Sequence, residues 1–594
     1  MIYRNKKHSY ALYAAFVAMA LSTGIPAKAV VASPGIIEAS QPDGSTVRIQ
    51  MTGDAHNHLI FSEDGYLLTS NEEGFYVFAD VDSQGRPFAT SIRAVNVELR
   101  SQPDQAVIAS LDKQAICEAF EKENPARRAS SPKRGPGLCQ TAFPSKGSNK
   151  SVVVLVEFSD NSFTVENPKE YYQRFLNEEG FSDNGAFGSV GDWFKQNSSG
   201  VFAPDFDVYG PVKLPKTMSY YGGNTPYETD ANVYEMVIDA CKLLDEEVDF
   251  SLYDANNDGL IDNVYVYYAG YGESDGGGPM TIWPHSWDLD YATNKKYYFD
   301  GVRLNHYACA MELRHSDSKP DGIGPFCHEF SHVMGLPDLY CTDGSQAFTP
   351  GNWSVIDSGS YNYKSTCPPF YSSFERYALE WIEPIPLTES GDYTLEPLSS
   401  SNKAYIVKTD NPNEYFLFEN RQFEGFDKYI PGHGMLVWHI DFDQYSWDYN
   451  LVNNDPRHQR VDLIEADNTQ TSSSRPGDSF PGRSKVTEFT PTTKPAFVNW
   501  AGKSMGISIT DIREIEGVIY FHAEVEDHNS VGSLEADESF RIDADRVTAI
   551  GSDITVYTIS GLKAADISAG SSLTLPAGFY ILNSAGRSCK VIIR

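Results

Sequence analysis

The string His328-Glu329-Phe330-Ser331-His332-Val333-Met334-Gly335-Leu336-Pro337-Asp338 constrains this chain more tightly than any other segment. Two imidazoles four positions apart on a helix are separated by about one turn, so both project from one face. Gly335 can take the left-handed conformation that ends a helix, and Pro337 prevents the helix from resuming. The chain must therefore turn back, which carries Asp338 round toward the two imidazoles. Two nitrogens and one oxygen on a common point predict a metal centre, and an open fourth position is what a catalytic zinc needs. Glu329 follows the first ligand directly, which puts its carboxylate beside the ion, where it can act as a general base on water.

At 594 residues the chain is too long for one hydrophobic core, and several modules are expected. Residues 1–29 join a basic start, Arg4, Lys6 and Lys7, to an apolar run and a small-residue exit, Ala27-Lys28-Ala29, the pattern of a signal peptide. No later stretch is apolar for long enough to cross a bilayer, so an exported protein without an integral membrane segment is expected. The 81 acidic against 47 basic residues give a net charge of -34, which repels phosphate backbones and excludes nucleic acid as a partner. Eight Cys are too sparse for a disulfide scaffold, and with no Cys-x-x-Cys pair a structural thiolate site is disfavoured.

Residues 30–134 alternate in short segments broken by turns such as Pro42-Asp43-Gly44 and Glu63-Asp64-Gly65, and read as a β-rich propeptide. It runs into a basic, Ser-, Pro- and Gly-containing connection at 127–137, an exposed place for proteolytic removal. The run Ser151-Val152-Val153-Val154-Leu155-Val156-Glu157-Phe158 suits a strand buried on both faces. Helical patterns near 170–177, 190–196 and 230–244 then define a mixed catalytic domain over 145–385. From 386 to 528, β runs between polar turns predict a β-sandwich, and 540–594 a last small β module. The whole is a multidomain α+β protein.

With Leu339-Tyr340 after Asp338, the sequence resembles the immune inhibitor A family of secreted bacterial metallopeptidases. The likeness extends from Val152 through Gly188-Ser189-Val190-Gly191-Asp192-Trp193-Phe194 and Thr281-Ile282-Trp283-Pro284-His285 to Gly477-Asp478-Ser479-Phe480-Pro481-Gly482. The resemblance implies a propeptide, a metzincin-like zinc peptidase domain with a mixed sheet and an active-site helix, and a β-rich region downstream. The sequence departs from metzincin-like enzymes at Ile356, where they carry a Met beneath the zinc; a branched aliphatic residue of similar volume should serve as the floor. By analogy Tyr361 is a candidate transition-state donor. The last module is similar to C-terminal sorting domains of the type IX route to the bacterial cell surface.

Asp254, Asn256, Asp258, the Leu260 carbonyl and Asp262 alternate around Gly259 like the first part of a calcium loop, though Tyr265 stands where an EF-hand needs its bidentate Glu. Cys139, just past the cleavage connection, is a candidate zymogen switch able to cap the zinc. Together these features predict a secreted zinc endopeptidase made as a monomeric zymogen, supported by calcium, that hydrolyses extracellular proteins. The alternative is a catalytically impaired peptidase-like binding or adhesion protein at the cell surface.

Overall fold

The structure, a computed structural model, describes residues 28–55, 58–71, 73–82, 84–123, 133–135, 138–139, 143–224, 229–343, 347–526, 540–543, 545–559, 562–584 and 587–593. Most of the predicted signal peptide and of the 127–137 connection lies outside them.

The β-branched run forms the strand Lys150–Glu157, at the heart of a six-stranded sheet. Its side chains alternate between two cores: Val153 and Leu155 enter one, Val152, Val154 and Val156 the other. Burial on both faces explains why the sequence shows no polar alternation there. Parallel neighbours are Asp205–Lys213 on one side and Val264–Tyr271, then His306–Leu313, on the other. His285–Asp288 closes this series antiparallel, and the two residues Lys28–Ala29 add to its free edge, again antiparallel.

The metal-motif helix, Gly324–Val333, follows the strand His306–Leu313. One flank presents Phe326 and Phe330 to Phe206 and Tyr265, with Phe326 stacked on Tyr265 at 4.0 Å between centroids. Each such fully buried aromatic contributes roughly 1.5–3 kcal/mol. The helix begins tight against the turn Ser358–Tyr361: a Cβ on Gly324 would lie 1.9 Å from the Ser360 carbonyl oxygen, so only Gly fits. It ends as the sequence predicts, with Gly335 at φ 96°.

The N-terminal region is a six-stranded antiparallel meander from Ile36–Ser40 to Pro87–Arg93. Two helices follow, Gln102–Ile108 and Lys113–Glu123, which the reading of this module as β-rich does not anticipate. The first is capped by Ser101, whose Oγ accepts from the Asp104 N–H; the second turns Ile116 and Cys117 onto the meander.

Beyond the catalytic region a five-stranded and a three-stranded sheet share an apolar layer that includes Phe416, Phe418, Val437, Ile509 and Phe521. The opposite face of the five-stranded sheet, with Leu417, Leu436, Trp438 and Ile440, joins the same core as Phe326 and Phe330. This downstream sheet is thus a wall of the core that holds the metal-motif helix. The final segment holds sheets of three and four strands around Val547, Ile554, Val556 and Leu582.

Candidate metal centre

The helix and its return bring His328, His332 and Asp338 together as the sequence predicts, all three buried. The two Nε2 atoms are 3.1 Å apart, and Asp338 Oδ1 stands 3.2 Å from His328 Nε2 and 3.1 Å from His332 Nε2. Ligand atoms about 2.0–2.1 Å from a tetrahedral zinc lie about 3.3 Å from one another, so this donor set fits that ion. The second ring nitrogens are anchored: His328 Nδ1 donates to the Val355 carbonyl at 2.8 Å and His332 Nδ1 to the Leu336 carbonyl at 2.9 Å. A carbonyl only accepts, so both Nδ1 atoms carry a proton and both Nε2 atoms are turned toward the common point.

Charge complements the geometry. Burial alone would raise the Asp338 carboxyl, but the two imidazoles outweigh it and hold Asp338 well below the ordinary carboxylate range. Burial likewise would lower His328, yet the hydrogen bond to Asp338 and the charges of Glu329 and Asp338 lift it to about 9. The site is built for positive charge.

Residues 140–383 match the family described as immune inhibitor A peptidase M6, catalytic domain. A pre-pro-metalloprotease PrtV of Vibrio cholerae is 27% identical over 280 residues, 40% of this chain and 30% of that relative. Immune inhibitor A of Bacillus thuringiensis subsp. alesti is 25% identical over 266 residues, 38% of each chain. The chain thus spans only about a third of the length of the curated relatives it matches. Residues 140–383 belong to the immune inhibitor A family of metallopeptidases.

In this peptidase domain Glu329 is buried beside the ligands; burial raises its carboxyl well above the usual range, Asp338 and Asp54 add to the shift, and His328 opposes it. Its Oε1 accepts the Val30 N–H at 2.6 Å, while Oε2 has no hydrogen-bond partner. The cleft between the metal centre and the edge strand His285–Asp288 is filled by the protein's own residues 29–31. The Ala29 carbonyl oxygen lies 3.3 Å from His328 Nε2 and accepts from Tyr340 Oη at 2.5 Å. Trp283 Nε1 donates to the Val30 carbonyl at 2.7 Å, and Tyr361 Oη to the Val31 carbonyl at 2.7 Å.

Tyr361 therefore does border the cleft. Tyr340 and Trp283, quoted only as parts of motifs, prove to line it too. Ile356 is fully buried, and its carbonyl accepts from Leu339 N at 3.0 Å, tying the floor to the third-ligand segment. The Cys139 side chain lies outside the described residues. Glu375, on the helix Ser373–Ala378, caps that helix at Ser372 and accepts from Ser354 Oγ. His439 is bonded to Glu414 and stacked on Phe416 and Trp500.

In the loop of the calcium pattern, Asp254 accepts from the N–H groups of Asp258 and Gly259, Asn256 from Asp258, Asp258 from Leu260 and Asp262 from Ala255. Each of these four side chains thus has at least one oxygen engaged with the loop's own backbone. Among the described residues, no helix is long and apolar enough to cross a membrane.

Proposed function

We infer that this protein is an exported zinc endopeptidase made as a zymogen, with His328, His332 and Asp338 as ligands and Glu329 as general base. The convergence of the three ligand atoms beside a buried, half-free carboxylate carries the reading. A bound zinc would polarise a peptide carbonyl and acidify the attacking water. Glu329 then takes a proton at Oε2, the unpartnered oxygen, and delivers it to the departing amine. The Val30 N–H on Oε1 marks where an amide nitrogen meets this acid. A substrate backbone would add antiparallel to His285–Asp288, as Lys28–Ala29 does, with Trp283 and Tyr361 donating to carbonyls on one side of the scissile bond and Tyr340 to the carbonyl itself.

The same contacts support the zymogen reading, since a cleft holding residues 29–31 has no room for another chain. Removal of residues 1–29 on export would take Ala29 with it and leave Val30 and Val31 as the occupant, with the Val30 amine against Glu329. Latency then rests on this occupant, and release of the N-terminal module opens the cleft. The architecture read for the chain, a metzincin-like domain between a propeptide and a β-sandwich, agrees with this arrangement. Calcium in the loop 254–262 belongs to the same reading as a support of the fold, with Asp254, Asn256, Asp258, Leu260 and Asp262 as donors. Export by a signal peptide, with the last module as a type IX sorting signal, completes it.

The deciding experiment uses residues 30–594 after removal of the propeptide, with casein as substrate. Cleavage is expected to stop on chelation and return with zinc. Glu329→Gln should leave bound zinc unchanged and lower kcat by at least about 10³-fold. Proteolysis that survives both treatments refutes the assignment.

A further inference from the structure

The third metal ligand is held from outside the peptidase domain. The loop 449–454, which follows the short helix Gln444–Asp448 of the downstream β region, reaches back to the segment 338–342 through three asparagines. Asn450 makes a two-point contact with Asp338: its Nδ2 donates to Asp338 Oδ2 at 2.6 Å and its Oδ1 accepts the Asp338 N–H at 2.9 Å. Asn453 Nδ2 donates to the Leu339 carbonyl at 2.8 Å, and Asn454 Oδ1 accepts the Thr342 N–H at 2.9 Å. Asn450 is buried and sits at φ 51°, a conformation that Asn tolerates better than most residues.

We propose that Asn450 is a positioning residue for the metal centre, fixing the rotation of the Asp338 carboxylate so that Oδ1 alone faces the ion. A carboxylate free to rotate offers either oxygen, or both, and pays side-chain entropy each time it is ordered. Here Oδ2 is occupied by the amide, and Oδ1 is left facing the two imidazole nitrogens at 3.1–3.2 Å. His328 and His332 receive the equivalent support from Val355 and Leu336, inside residues 140–383; the third ligand receives it from position 450, beyond them. The metal centre is therefore completed by the downstream region, whose Trp447, Val452 and Val461 share the apolar core of the active-site helix.

The proposal rests on the assignment of Asp338 as a ligand, and the test separates the two. The zinc dissociation constant of the processed chain is measured by competition with a chromophoric chelator for wild type, Asn450→Ala, Asn450→Asp, Asn454→Ala and Asp338→Ala, with apo-protein melting followed alongside. Loss of an outer partner of a ligand typically weakens metal binding 10–100-fold. Asn450→Ala is expected to fall in that range, and Asn450→Asp to lose more. The aspartate keeps the acceptor for the Asp338 N–H but sets a second carboxylate against Oδ2. Asn454→Ala, which clips the same segment four residues on, should bind zinc within about twofold of wild type. At saturating zinc, Asn450→Ala should recover most of its kcat. Zinc affinity of both Asn450 variants within twofold of wild type, while Asp338→Ala loses binding, overturns the positioning role and leaves the ligand assignment standing. An Asp338→Ala protein that binds zinc like wild type overturns both. An equal loss in Asn454→Ala and Asn450→Ala reduces the contact to general loop support and also overturns the proposal.

Discussion

The backbone N–H of Val30 donates to Oε1 of Glu329 across 2.6 Å, joining residues 299 positions apart in the chain. The acid proposed as the general base is thereby engaged by the protein's own N-terminal segment. Four further contacts, from His328, Tyr340, Trp283 and Tyr361, lie along residues 29–31. Together they couple the docking of the N-terminal meander to the state of the Glu329 carboxylate.

A negative charge at position 30 should break this coupling. Val30 is fully buried against Glu329, so Val30→Asp puts a second carboxyl into a site away from water, where it must either bury its charge or take up a proton at a cost of several kcal/mol. The segment should leave the cleft, and unprocessed chain carrying Val30→Asp should cleave casein at least about tenfold faster than unprocessed wild type. A basal rate equal to wild type counts against inhibition by residues 29–31.

Metal removal should register as stability as well as activity. An ion that binds only the folded state adds about 4 kcal/mol at a free concentration a thousandfold above its Kd. Chelation should therefore lower the melting transition of the peptidase domain by several degrees, and zinc should restore it. In Asp338→Ala the same treatment should shift melting much less, because one of the three converging donors is gone. Calorimetry of the processed chain with and without chelator checks both statements.

The floor beneath the metal offers a third test. Ile356 is fully buried in the same core as Phe330 and Leu339, and Val355 beside it anchors His328. Ile356→Met roughly conserves volume and should change stability by less than about 1.5 kcal/mol, with kcat/KM within several-fold of wild type. Ile356→Ala leaves a cavity and should cost about 2–5 kcal/mol. Denaturant melts of the two variants, read beside their kinetics, show whether the aliphatic residue serves as packing or as more than that.

The metal centre was legible in the sequence because everything it needs locally falls within residues 328–338: helical spacing, a glycine able to reverse, a proline to forbid continuation. The central strand was legible for the same reason, since an unbroken apolar run at 152–156, four of its five residues Val, admits few other environments. What escaped is what depends on contacts between distant parts of the chain. Asn450 meets Asp338 from 112 positions away, and no local pattern marks an asparagine as a partner of a ligand. Ala29 reads as the last residue of a signal peptide and residues 30 and 31 as the start of a propeptide, and their place in the cleft follows from sheet-edge pairing of Lys28–Ala29 with His285–Asp288, which periodicity does not encode. The helices Gln102–Ile108 and Lys113–Glu123 are short enough that a few apolar positions, such as Ile108 and Ile116, carry the signal.

The loop that receives the N-terminal module carries a pH dependence of its own. Glu273 is fully buried, with Asn224 Nδ2 donating to both its oxygens at 2.8 and 3.0 Å, and burial pushes its carboxyl up to about 8 despite those bonds. Nearby Asp230 is raised as well, by burial and by the charge of Glu273. An unfolded glutamate titrates near 4.3. Between that value and about 8 the unfolded chain has already released a proton that the folded chain still holds, so stability falls as pH rises through this window and levels off above it. Replacement by glutamine keeps the shape and removes the titration. Glu273→Gln should therefore melt higher than wild type at pH 8 and lose that advantage toward pH 5, flattening the slope of melting temperature against pH. Parallel profiles for the two proteins would show that the carboxyl does not hold its proton in the folded chain. The same residue sits one position before Ser274, whose carbonyl accepts from the Ser33 N–H, so ionising Glu273 loads the strip on which the N-terminal segment rests. Conversion of the unprocessed chain by a fixed amount of added protease should accordingly run faster at pH 8 than at pH 6 in wild type, once the protease's own pH dependence is subtracted, and at nearly equal rates in Glu273→Gln.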